Sequence, residues 1–164
     1  MKYEFTSKLR TLDYWLLSMY NTYRSVVGAF NILFFFSMIL ISIKFWNNAN
    51  DVVQVIIFLG LLVTPVFHPF GVYLKAKSQV LLTPKDGVKM VFNETGIHIT
   101  VGDKNEVIRW NKVAGVSRKC GMVIIYSDPA HGYILTKRVL GAQREEFLAY
   151  LKEQLKKAIP INKR

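Results

Sequence analysis

Apolar and polar positions follow one another along this chain in four distinct rhythms. The first eight residues, MKYEFTSK, alternate, which puts Tyr3 and Phe5 on one face of a short strand. From Thr11 to Tyr23 the spacing turns to threes and fours. Leu12, Trp15, Leu16, Met19, Tyr20 and Tyr23 then make the apolar stripe of an amphipathic helix, with Asp13 in the first turn, where an acid suits the helix dipole. Residues 25–43, SVVGAFNILFFFSMILISI, carry no charge and are closed by Lys44, Phe45 and Trp46. A second uncharged run, residues 52–74, ends at Lys75 and Lys77. Each run is long enough to cross a hydrocarbon core, which takes roughly 20 helical residues, and neither has the polar stripe of a surface helix. A chain this short could hardly cover two such helices inside a soluble bundle.

After Lys77 the rhythm is that of β structure. Met90 and Phe92 share a face, and Ile97, Ile99 and Val101 point inward while His98 and Thr100 point outward. The pattern predicts short strands at 89–92, 97–101, 106–110, 116–119, 122–126 and 133–136, an antiparallel meander. Turns fall at 93–96, 102–105, 120–121 and 127–132. Residues 141–158 read as a helix with Phe147, Leu148, Leu151 and Leu155 on its apolar face, stopped by Pro160. The expected fold class is a membrane α-helical hairpin plus an α+β domain, an antiparallel β meander capped by a C-terminal helix. Its expected parts are residues 1–24 (strand and interfacial helix), 25–46 and 52–74 (spans), 47–51 (link) and 78–160 (β domain).

Composition and charge set the orientation. The chain has 164 residues, 51% of them hydrophobic, with 22 Lys+Arg against 11 Asp+Glu and a single cysteine, Cys120. That much apolar surface excludes a disordered chain, and one cysteine excludes a disulfide scaffold. Beyond Leu74 there are 17 Lys+Arg against 8 Asp+Glu, whereas the Asn-rich link region has only Lys44 and Asp51. The positive-inside rule therefore places both termini in the cytosol and the link outside, as an uncleaved multi-pass protein of the cell membrane. The aromatics Trp15, Tyr20, Tyr23 and Trp46 suit the membrane interface. Pro65 and Pro69 should kink or end the second helix in the inner leaflet, with His68 between them near the headgroups.

Candidate chemistry is sparse. His68, His98, His131 and Cys120 have no metal-ligand spacing, Cys120 has no evident base, and Glu145 and Glu146 point apart on their helix. Gly87, Gly96 and Gly102 read as turn glycines, and Trp110 as core. The expectation is a non-enzyme with no cofactor and no metal. Basic residues near an anionic leaflet gain about 1 kcal/mol each, so Lys75, Lys77, Lys156, Lys157, Lys163 and Arg164 are expected to hold the domain against lipid. The pairs Arg118–Lys119 and Lys137–Arg138 complete the candidate surface for a lipid or protein partner. No reader helix accompanies them, so nucleic acid is not expected. Self-association of the chain is left open.

Five pieces carry a resemblance. Residues 92–97 (FNETGI), 108–113 (IRWNKV), 122–126 (MVIIY), 133–138 (YILTKR) and 147–151 (FLAYL) resemble, in order and spacing, the C-terminal domain of the YcxB-like family of bacterial membrane proteins. The upstream strand, helix and two spans fit as well. Thr136 stands where the family often has proline. The resemblance implies a split pleckstrin-homology-like domain on a transmembrane hairpin, and brings no agreed biochemical activity. Similar small membrane proteins beside toxin or bacteriocin genes look like immunity proteins. The resulting expectation is a binding protein that protects against a membrane-active toxin; the alternative is a membrane-tethered sensor or regulator of anionic lipid or a cytosolic protein.

Overall fold

The computed structural model describes residues 3–84, 86–128 and 131–158. The helix stop expected at Pro160, the basic residues Lys163 and Arg164, and Pro129 and Ala130 of the loop at 127–132 lie outside them. The chain divides into two compact units, Met1–Arg10 with Leu81–Arg164, and Thr11–Val80.

Among the described residues, the first unit is built on seven strands in two antiparallel sheets, not on one meander. Strands β1 (Tyr3–Ser7), β2 (Val88–Phe92), β3 (Ile97–Val101) and β4 (Lys104–Ile108) form a sheet in that order. Strands β5 (Gly115–Lys119), β6 (Met122–Tyr126) and β7 (Gly132–Leu135) form the other. The N-terminal strand thus belongs to the β domain: Tyr3 lies opposite Phe92 and Ser7 opposite Val88. Its Tyr3 and Phe5 face the core because their partners Phe92 and Met90 do.

Several boundaries differ from the sequence pattern. β4 starts at Lys104, opposite Val101, so the turn before it is tighter than expected. It ends at Ile108, and Trp110–Lys112 form a 3-10 turn in place of a strand end. A short helix, α5 (Lys137–Leu140), follows β7, with the Thr136 side chain accepting from the Val139 amide. Gly141 ends α5 at φ 52° and ψ −136°, a conformation that essentially only glycine adopts. After a 3-10 turn at Gly141–Gln143 comes the long helix, labelled α6 (Arg144–Ala158).

Helix α6 supplies the centre of the core. Phe147 is fully buried, and its ring stands edge-on to Phe92 at 4.8 Å, Phe5 at 4.9 Å and Tyr3 at 5.5 Å between centroids. Such edge contacts add to what area burial contributes. Val123, Ile125 and Leu135 bring the second sheet into the same cluster. Two side-chain hydrogen bonds also join the sheets, Tyr133 to Glu106 at 2.9 Å and Ser7 to the Ile134 carbonyl at 2.5 Å.

The second unit is helical. Helix α1 (Thr11–Tyr23) leads to α2 (Val26–Phe45), whose 20 residues rise about 30 Å. A 3-10 turn at Trp46–Asn48 follows, and Asn50 caps α3 (Asp51–Leu62) by accepting from Val53 at 3.0 Å. Gln54 reaches back to the carbonyls of Trp46 and Ala49, which closes the link. Pro65 and Pro69 do not end the second helix. Val63–Phe67 widen into a π turn, in which the His68 amide reaches the Val63 carbonyl, and α4 (His68–Leu81) continues. A π turn absorbs the missing proline donors without breaking the rod. Lys75 and Lys77 are therefore helical.

Among the described residues, two helices are long and apolar enough to cross a membrane, Val26–Asn48 with 23 residues and Asp51–Leu81 with 31. Their apolar side chains stay outward: Phe30 and Leu40 of α2 are 66% and 67% exposed, and Val52 and Ile56 of α3 are 68% and 59% exposed.

Candidate functional site

The β unit holds an open cleft of about 500 Å³, lined by three separated segments. Glu94 and Thr95 come from the β2–β3 turn, Arg109, Trp110 and Asn111 from the 3-10 turn that follows β4, and Gln154, Lys157 and Ala158 from the last turns of α6.

Local chemistry fixes these walls. The Asn93 side chain accepts from the Thr95 amide at 3.0 Å, the Thr95 hydroxyl at 2.6 Å and the Gly96 amide at 3.1 Å. This is an Asx turn, which asparagine favours because its short carbonyl imitates a backbone acceptor. Gly96 sits at φ 155°, and a Cβ there would collide with the Ile108 carbonyl oxygen. The turn can therefore press against the end of β4 only through glycine. The Trp110 indole donates to the Asn93 carbonyl at 2.8 Å, tying the second wall to the first. Trp110 is 7% exposed and belongs to the core, as its sequence context predicts, while also lining the cleft.

The charges of the cleft are mixed. Lys157 is bound to Glu153 at 2.7 Å, which holds its ammonium above the ordinary lysine range and the Glu153 carboxyl below its own. Tyr150 lies edge-on to Trp110 at 6.2 Å; burial, then the nearby Glu94 carboxylate, push its phenol upward. Among the described residues, Arg109, Asn111 and Gln154 make no side-chain hydrogen bond or ion pair.

The cations expected to form a binding surface are dispersed over several elements. Lys75 and Lys77 are on α4, Arg118 and Lys119 on β5, Lys137 and Arg138 on α5, and Lys156 and Lys157 on α6. Arg138 donates to the Lys8 carbonyl at 3.0 Å, so it also fastens the end of the first strand. Of the eight, Lys157 alone lines the cleft. The sequence pattern did not single out Glu94, Thr95, Arg109, Asn111 or Gln154 as site residues. Their signal was their presence in, or one turn beyond, the pieces that carried the family resemblance.

In the helical unit, the Trp15 indole donates to the Pro69 carbonyl at 3.0 Å, and Tyr23 stands edge-on to His68 at 5.8 Å. The Thr64 hydroxyl donates to the Asn31 carbonyl at 3.2 Å. Arg24 hydrogen-bonds the Tyr20 hydroxyl and also stacks over its ring. The interfacial candidates Trp15, Tyr20 and Tyr23 thus pack against partners of their own unit, and Trp46 opens the 3-10 turn of the link. An apolar cavity of about 560 Å³ lies between α2 and α3, lined by Met38, Ile41, Phe45, Val53, Ile56 and Ile57 with the link residues Asn48–Asn50. The other two histidines are apart: His98 meets the Thr95 hydroxyl at 3.3 Å, and His131 pairs with Asp128 at 2.9 Å.

The chain therefore combines an α+β unit of two antiparallel sheets and a C-terminal helix with two long apolar helices. Residues 92–151, from the β2 end of the cleft to the middle of α6, match the family model described as YcxB-like protein, the family that the sequence resembles. No curated protein and no solved structure matches the chain.

Proposed function

We propose that the protein is a non-enzymatic bacterial inner-membrane protein, a two-span hairpin that carries a cytosolic pleckstrin-homology-like binding domain. The observation that carries this reading is the pairing of β1 with β2. Strands flanking the whole helical segment are hydrogen-bonded neighbours in one sheet, so residues 8–87 leave and re-enter the same domain. A segment that does so can cross a bilayer only an even number of times. Two apolar helices with outward-facing Phe, Leu, Val and Ile satisfy that condition. The four-plus-three sheet arrangement closed by α6 supports the pleckstrin-homology-like assignment. The charge asymmetry supports cytosolic termini.

Within this reading the domain and its spans serve self-protection against a membrane-active toxin. The apolar cavity between α2 and α3, bordered by the link residues Asn48–Asn50, offers such a toxin an apolar seat at the outer end of the spans. Cys120, in the β5–β6 turn, is the only thiol and tests the topology. An impermeant maleimide should leave it unlabelled in intact cells and label it after lysis and denaturation. Labelling of intact cells overturns the orientation. Deleting the gene should sensitise cells to a toxin encoded beside it. Unchanged sensitivity removes the immunity role and leaves a tethered sensor that binds anionic lipid or a cytosolic protein.

A further inference from the structure

We infer that the cleft between the 93–96 turn, the Arg109–Asn111 segment and the end of α6 is a docking site for an extended protein segment bearing one carboxylate, which Arg109 receives. The inference rests on the binding role proposed above and specifies its partner surface.

Charge decides the ligand class. Lys157 is already neutralised by Glu153, and Glu94 adds a carboxylate to the lining. What remains is one guanidinium without a partner among the described residues, Arg109. A multiply phosphorylated headgroup requires several uncompensated cations, and here a second anion would meet Glu94 and the carbonyl end of α6, both repulsive to it. A single carboxylate, taken by the fork of Arg109 through two parallel N–H bonds, fits this balance.

The remaining polar groups point to a peptide. Asn111 and Gln154 each offer a donor and an acceptor, the pair of functions that a peptide unit presents, and neither is engaged among the described residues. The edge of Trp110 gives the cleft an apolar contact, and Trp and Arg are the residue types most enriched where interfaces concentrate their affinity. The walls are held in advance by the Asn93 turn and by the indole bond to Asn93, so little ordering cost remains at binding. The carboxylate can come from a chain terminus or from an Asp or Glu side chain.

The test uses the full chain in detergent micelles, applied to an array of random peptides printed both as C-terminal acids and as C-terminal amides. Bound peptides should carry a carboxylate. Enrichment confined to the acid prints assigns the chain terminus, and enrichment of Asp or Glu in both prints assigns a side chain. Arg109→Gln should lose about tenfold in retained signal, the usual effect of removing one charged hydrogen-bond partner, while Arg109→Lys should lose less. Glu94→Gln should bind more tightly. Lys104→Gln, exposed at the start of β4 and outside the cleft, should bind as wild type. An array without binders, binders lacking carboxylates, or equal binding by Arg109→Gln each overturns the inference. Vesicles of anionic lipid are the parallel arm. Binding there that falls with Arg109→Gln, with none on the array, assigns the cleft to lipid instead. If a partner cross-linked to the protein in cells is still captured by Arg109→Gln, the cleft assignment fails while the binding role stands.

Discussion

Trp15 and Pro69 are 54 positions apart in sequence, yet the indole N–H of one donates to the carbonyl of the other across 3.0 Å. The bond fastens α1 to the start of α4, immediately after the π turn that absorbs Pro65 and Pro69. Replacing Trp15 by Phe keeps an aromatic ring and removes only the donor. The thermal midpoint in micelles should fall, by about 0.6–1.5 kcal/mol in stability. An unchanged midpoint would show that the indole bond contributes nothing to the helical unit.

Asn93 organises the cleft through three accepted hydrogen bonds and a backbone carbonyl that holds Trp110. Asn93→Ala should destabilise the β unit by about 1–3 kcal/mol, because the turn amides lose their acceptor. Asn93→Asp retains the acceptor and should recover most of the loss. Denaturant unfolding followed by tryptophan emission reads both variants, and equal stability of Asn93→Ala and wild type would contradict the assigned turn.

Two glycines of the helical unit should respond differently to the same methyl group. At Gly28 a Cβ would run into the backbone of Thr22 and Tyr23, which cannot swing aside. At Gly60 it would meet the end of the Met38 side chain, which can. Gly28→Ala should cost about 1–3 kcal/mol despite the better helix propensity of alanine, whereas Gly60→Ala should stay within about 1 kcal/mol of wild type. Thermal melts in the same detergent compare them, and the reverse order would refute the packing of α1 on α2.

Tyr133 gives the β unit a dependence on alkaline pH. Burial, followed by its hydrogen bond to the Glu106 carboxylate, pushes the phenol from 10.0 up to about 12. The unfolded chain therefore releases this proton first. The stabilising contribution is complete below pH 10 and is lost as pH rises from 10 toward 12. Tyr133→Phe should flatten the fall in unfolding midpoint over that window. Identical slopes in the two proteins would dissociate Tyr133 from the effect.

The sequence made local features legible and left non-local ones obscure. The uncharged runs of 25–43 and 52–74 announce the long helices because no charge interrupts either run. Alternation at Ile97, Ile99 and Val101 announces β3 because one face of its sheet is buried. Nothing local links Tyr3 to Phe92, so β1 reads as a separate leader although it is the edge of the four-stranded sheet. The prolines of the second helix announce a kink or an end, and the backbone answers with a wider π turn, after which the helix continues. The short helix after β7 was hidden because Tyr133–Thr136 alternate like a strand up to the threonine that caps the turn. For the cleft, residues from three segments had to converge; single motifs such as Asn93–Gly96 gave only a turn.

The union of β1 with β2 imposes an order on biogenesis. β1 leaves the ribosome before the two apolar helices, and its hydrogen-bonding mate emerges only after both have been made. Until then the β1 amides are hydrogen-bonded only to water, and Tyr3 and Phe5 are uncovered. The sheet can be completed only when residues 8–87 have been made, so a chain halted before β2 leaves Tyr3 and Phe5 without their cross-strand cover.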